Sequence, residues 1–126
     1  MDPLYRDEIL EHYKYPKNKG TIDNPDITFK DVNPLCGDEC QIDLRLNGDK
    51  VQEVRFQAKG CAISQAVTSM LSEKIEGKTL EEIKKIGKNE ILELLGMDLG
   101  PVRLKCALLC LKVVKAGIYG IHEWPT

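Results

Sequence analysis

The 126-residue sequence has no Cys-x-x-Cys pair, no lysine or arginine run longer than two, and no apolar stretch near membrane-spanning length. Each absence excludes a class. Without Cys-x-x-Cys, neither a zinc ribbon nor a thioredoxin-type dithiol is written here. The five cysteines are odd in number and sparse, well below the roughly 8–10% of disulfide scaffolds, so they are expected as thiols in a reducing compartment. A net charge of −2 with scattered cations gives nucleic-acid binding little electrostatic support. No stretch approaches the roughly 18 apolar residues of a membrane span. The start, Met1-Asp-Pro-Leu-Tyr-Arg-Asp-Glu8, is charged from its second residue and lacks an apolar signal core. A cytoplasmic protein away from membranes is expected. Histidine is also scarce: His12 and His122 sit near the termini without a partner in register, and read as surface or interface residues.

What is present suits one domain over residues 1–126. The hydrophobic share of 42% and the charged share of 30% are ordinary for a globular chain that buries a core without staples. Asp2-Pro3 is a helix opening, followed by a stripe of Leu4, Ile9, Leu10 and Tyr13 that Pro16 and Gly20 end. The period then changes to two. Ile27 and Phe29 alternate with polar residues, as do Ile42, Leu44 and Leu46; Asn47-Gly48-Asp49 signals a hairpin, with Val51 to Ala58 returning. Asn33 to Glu39 reads as the joint between the first two strands. After Cys61 a helical stripe runs from Ile63 to Ile75 and closes at Gly77. Thr79-Leu-Glu-Glu82 is a capping box, Asn89 is expected to cap a helix over Ile91 to Leu95, and Pro101 opens a last helix expected to close at Gly117. That last helix is apolar on several faces and belongs at the packing centre. This order predicts an α+β fold: a small three-stranded antiparallel sheet with helices packed on one face.

Three cysteines stand in contexts that a core thiol does not need. Cys36 precedes Gly37 and Asp38, Cys61 follows Gly60 just ahead of a helix, and Cys106 follows Arg103 and Lys105. Glycine lets a thiolate and a carboxylate point the same way, and free N–H groups at a helix start favour a thiolate. Each context also has a plain account, as a β-turn, a junction or core packing. Cys40 shares the inward parity of positions 42, 44 and 46 and reads as core, while remaining the competitor to Asp38 as a further ligand. Cys110 touches no polar motif and reads as core. Trp124, in an irregular tail, is left to packing or to a partner.

At these residues the sequence resembles the IscU/NifU-type iron–sulfur cluster scaffold family, including its SufU branch. The matching pieces are His12-Tyr-Lys-Tyr-Pro-Lys-Asn-Lys-Gly20, Asn33-Pro-Leu-Cys-Gly-Asp38, Gly60-Cys-Ala-Ile-Ser64, Gly77-Lys-Thr-Leu-Glu-Glu82 and Pro101-Val-Arg-Leu-Lys-Cys-Ala107, in the family's order. The resemblance implies a scaffold on which a cluster, typically [2Fe–2S], is built with sulfur from a cysteine desulfurase and passed to apo acceptor proteins. It implies Cys36, Cys61 and Cys106 as ligands with Asp38 close to the metal, and zinc as an alternative occupant. Three departures are visible. Lys105 stands where many members carry histidine, and a protonated amine cannot ligate, which shifts the fourth-ligand expectation to Asp38. The spacing lacks the extra SufU segment between the second and third cysteines. Leu99-Gly-Pro-Val-Arg103 stands for the Leu-Pro-Pro-Val-Lys chaperone motif, leaving an Hsp70-type chaperone open as a partner, as is a homodimer sharing a cluster. Two functional expectations follow: a cluster scaffold without turnover of its own, or a zinc-bound sulfurtransferase relaying persulfide.

Overall fold

A computed structural model describes residues 3–33, 37–120 and 124–125. The chain order is α1 (Pro3–Lys14), β1 (Ile27–Asn33), β2 (Asp38–Asn47), β3 (Lys50–Lys59), α2 (Ala62–Ile75), α3 (Leu80–Lys84), α4 (Lys88–Leu95) and α5 (Pro101–Tyr119). The strands form an antiparallel meander, β1-β2-β3. α2 and α5 pack against the sheet and each other, and α1 lies on α2. This is the α+β layout expected from the change of period.

The alternation that marked the strands also decides the layers. Cys40, Ile42 and Leu44 of β2 share one face with Asp38 at its start, and all four are buried. They join Val54 and Phe56 of β3 and a long run of α5, Ala107 to Leu111 with Val113 and Val114, in one core. Each fully buried Leu, Ile or Val side chain contributes about 1.5–3 kcal/mol, so the core outweighs any single cap. α5 touches β1, β2, α2, α3 and α4, which places it at the packing centre.

Local signals held where their causes are local. Thr79 accepts from Glu82 N–H at 3.1 Å and Glu82 accepts from Thr79 N–H at 3.1 Å, the reciprocal capping box. Three expectations need correction. Asn89 lies inside α4, whose cap is Gly87; Glu90 reaches back to the Gly87 N–H at 2.8 Å. Gly117 does not close α5, which runs on to Tyr119 and ends at Gly120 in the left-handed region. Its missing side chain serves β1 instead, because a Cβ there would lie 3.1 Å from Ile27 and 3.2 Å from Phe29. The joint between β1 and β2 is also shorter than expected, since Asn33 pairs with Asp38 and both belong to strands.

His12 is a further correction. Its Nδ1 lies 2.7 Å from Ser69 Oγ on α2 and its Nε2 lies 3.6 Å from Glu73. The following connector is held by the same helix and by β3. Lys17 N–H donates to Ser69 Oγ, Asn18 Nδ2 donates to Ser72 Oγ, and Gly20 N–H donates to the Phe56 carbonyl. The His12-to-Gly20 segment therefore staples α1 to α2 and lies along the outer edge of β3. Among the described residues no helix is long and apolar enough to cross a membrane.

Candidate metal centre

Antiparallel pairing sets the start of β2 beside the end of β3: Glu39 faces Lys59. Asp38 therefore meets the turn at Gly60 that leads into α2. Gly60 has φ of 149°, a conformation that side-chain-bearing residues rarely adopt, and a Cβ there would fall on the Asp38 carboxylate. The glycine thus serves both the turn and the room that Asp38 occupies. Cys61 follows as the N-cap of α2, and its Sγ accepts the Ser64 N–H at 3.4 Å. Cys106, in the second turn of α5, completes the cluster.

One ligand atom from each of Asp38, Cys61 and Cys106 lies within 4.8 Å of the others. That span is on the order of two metal–ligand bonds of about 2.0–2.3 Å end to end. Asp38 and Cys106 are buried, while Cys61 is exposed, so the group opens to solvent on one side. Asp38 is 3% exposed, yet its Oδ2 has no hydrogen-bond partner among the described residues. A buried carboxylate oxygen without a donor carries a desolvation penalty of about 1–3 kcal/mol or more, which a bound cation relieves. Two thiols and a carboxylate are a donor set suited to zinc or iron.

Of the four expected site residues, these three are brought together and Cys36 lies outside the described residues, as does His122. Cys40 is drawn away from the group. It is 2% exposed and belongs to the same hydrophobic core as Cys110. Hydrogen bonding toward the Cys110 thiol, then burial, pushes the Cys40 thiol well above its ordinary range. None of the four described cysteines is in a disulfide.

Lys105, beside Cys106 in sequence, places its ammonium over the ring of Trp124, 5.5 Å from the centroid. Lys112 flanks the same ring at 4.8 Å and pairs with Asp31 at 2.6 Å. Trp124 is thus part of the packing, held against α5 by two cations one heptad apart. Two features escaped sequence reading. Gly60 as the space for Asp38 needs the β2–β3 register to be seen, and the Trp124 clamp joins residues far apart in the sequence. The lone tryptophan was the only signal for the second.

The NifU-like N terminal domain family matches residues 4–124. Among curated relatives, the zinc-dependent sulfurtransferase SufU of Bacillus subtilis is 35% identical, covering 94% of this chain and 91% of that one. The iron-sulfur cluster assembly scaffold protein IscU of Escherichia coli is 31% identical over 90% of this chain and 91% of its own. A crystal structure from Fervidobacterium islandicum, described as a scaffold for iron-sulfur cluster assembly in the SUF system, superposes with a TM-score of 0.79 at 31% identity. It covers 88% of this chain and 93% of that one. With residues 4–124 matched, the five expected segments in order and the Asp38, Cys61 and Cys106 groups gathered at one end of the sheet, the chain belongs to the NifU-like N-terminal domain family of IscU and SufU proteins.

Proposed function

We propose that this chain is an iron–sulfur cluster assembly scaffold that accepts sulfur from a cysteine desulfurase, holds a labile [2Fe–2S] cluster and passes it to apo acceptor proteins. The observation that carries this reading is the buried Asp38 carboxylate, gathered with two thiols from distant segments and with an Oδ2 that has no hydrogen-bond partner among the described residues. The cluster is cargo, and Cys36, Asp38, Cys61 and Cys106 are the residues assigned to hold it. Thiolates are soft donors matched to iron–sulfur ligation, whereas a carboxylate is a harder and weaker partner. Mixed ligation at an open edge suits a cluster that must leave. The single domain would act in the cytoplasm without turnover of its own, with an Hsp70-type chaperone and a second copy of the chain as further partners.

The similarity to a zinc-dependent sulfurtransferase supports a second reading, in which the same residues hold zinc and relay persulfide. Anaerobic reconstitution with iron and sulfide separates the two. The scaffold gives visible charge-transfer bands that disappear on transfer to an apo-ferredoxin. A colourless protein that keeps one zinc and still accepts desulfurase sulfur would replace the scaffold with the relay. Asp38→Cys, by supplying a fourth soft donor, is expected to lengthen cluster lifetime by about tenfold or more. A lifetime equal to wild type would remove Asp38 from the ligand set.

A further inference from the structure

The three groups gathered at the metal centre are not held equally. Asp38 opens β2 and pairs with Asn33 of β1, while Cys106 lies within α5, where the helical backbone sets its direction. Cys61 stands between elements: it follows Gly60 and caps α2. A Cβ at Gly60 would fall on the Asp38 carboxylate, so that position is kept free of a side chain. The room leaves a weakness, because glycine restrains its own backbone less than any other residue. The peptide that leads into Cys61 therefore needs a hold from elsewhere, and Cys61 is the exposed member of the group.

Gln65 supplies that hold. Its side-chain Nε2 donates to the Gly60 carbonyl at 2.9 Å, and its backbone N–H donates to the Cys61 carbonyl at 3.1 Å. These two carbonyls belong to the peptide planes on either side of the Cys61 Cα. Fixing both planes fixes the φ of −70° and ψ of 168° between them, and so the direction in which the side chain leaves. The Ser64 N–H then holds Sγ itself at 3.4 Å. The backbone bond to Cys61 is the ordinary i to i−4 bond of a helix, which nearly any residue at 65 would make. The bond to Gly60 is different: it needs a donor on a side chain of this length, and a glutamine amide has one.

We propose that Gln65 is a positioning residue for the metal centre: by gripping the Gly60–Cys61 peptide it keeps the Cys61 sulfur turned toward Asp38 and Cys106. The inference rests on reading Cys61 as a ligand. Gln65 touches no metal itself and acts only through Cys61. Its bond to Gly60 lies at the surface, where water competes for the same carbonyl. Releasing it frees one thiol on the open side, while β2 and α5 keep Asp38 and Cys106 in place. Gln65 thereby sets how firmly the centre holds its metal. Groups that orient a ligand without touching the metal change affinity by about 10–100-fold when removed.

The test uses the full-length, metal-free protein with zinc alone as the probe, its affinity read by competition against a chromogenic chelator. Gln65→Met keeps the side chain's length and loses the donor. It is expected to bind zinc about tenfold more weakly, while the melting midpoint of the metal-free chain stays at the wild-type value. Cobalt in place of zinc gives a spectroscopic signature: thiolate-to-cobalt charge-transfer absorbance should fall in Gln65→Met as less Cys61 is bound. A mutant cycle with Cys61→Ala separates positioning from a general effect. In the Cys61→Ala background, Gln65→Met should lower zinc affinity no further; an equal loss in both backgrounds overturns the inference. Wild-type zinc affinity and cobalt absorbance in Gln65→Met also overturn it, and leave Cys61 a ligand so long as Cys61→Ala by itself weakens binding. Zinc binding untouched by Cys61→Ala removes the ligand reading and this inference together. One measurement needs no variant: hydrogen exchange of the Gln65 side-chain amide in the wild type should slow when zinc binds, and an unchanged rate excludes the hold.

Discussion

β2 carries two buried aspartates with opposite surroundings. Asp43, 4% exposed, is fully engaged: Oδ2 accepts the Ile22 N–H at 3.1 Å and Oδ1 accepts the Thr28 hydroxyl at 2.7 Å. Asp38, 3% exposed at the start of the same strand, has an Oδ2 with no donor among the described residues. One carboxylate ties the α1–β1 connector to the sheet; the other is kept in the interior facing two thiols. Burial by itself does not separate a structural carboxylate from a binding one. Whether its lone pairs are already used does.

The largest effect should come from Asp43→Ala, which leaves the Ile22 N–H without its acceptor in a covered position. A loss of about 2–4 kcal/mol in urea unfolding is expected, with zinc affinity unchanged. A loss below 0.5 kcal/mol, a value on the order of ordinary surface substitutions, would break the comparison from the structural side. Gly60→Ala should come next, at about 1–3 kcal/mol, because it strains a φ of 149° and sets a methyl group against the Asp38 carboxylate. Unlike Asp43→Ala it should also weaken zinc binding, measurable by competition with a chromogenic chelator. Asp38→Ala should have the smallest effect on the metal-free protein: stability unchanged or raised by about 1 kcal/mol, since a buried oxygen with no donor among the described residues is removed. Its signature is in the linkage. Wild type should gain about 2.7 kcal/mol at a zinc concentration a hundred times its dissociation constant, and the variant clearly less at that same concentration. If zinc stabilises both equally, Asp38 is not a ligand and the two aspartates differ only in packing.

The sequence made one half of this contrast visible. Asp38 stood out because a thiol and a glycine precede it, and the resemblance of the surrounding segment gave it a role. Asp43 looked like any polar residue in an alternating strand, since its partners lie 15 and 21 residues back on other segments. The same division holds elsewhere. The capping box at Thr79 was legible because both its hydrogen bonds close within four residues. His12 was misread as a surface or interface residue because Ser69 lies 57 residues further on. Gly117 looked like a stop signal, when its lack of a side chain serves the approach of β1 to α5. Cys40 was placed correctly by strand parity, because the alternation of β2 is written in neighbouring residues. Local chemistry and periodicity are written in neighbouring letters; approach distances between elements are not.

The clamp on Trp124 has an optical consequence. It is the only tryptophan in the chain, and its ring is stacked on the ammonium of Lys105, the residue next to Cys106. The protein thus carries a native fluorophore in contact with the residue next to a proposed cluster ligand. A visible-absorbing cluster within energy-transfer range should quench that emission, and its departure should restore it. Loading and unloading can then be followed in real time on the unlabelled chain, with Lys105→Met showing how much of the signal passes through the clamp.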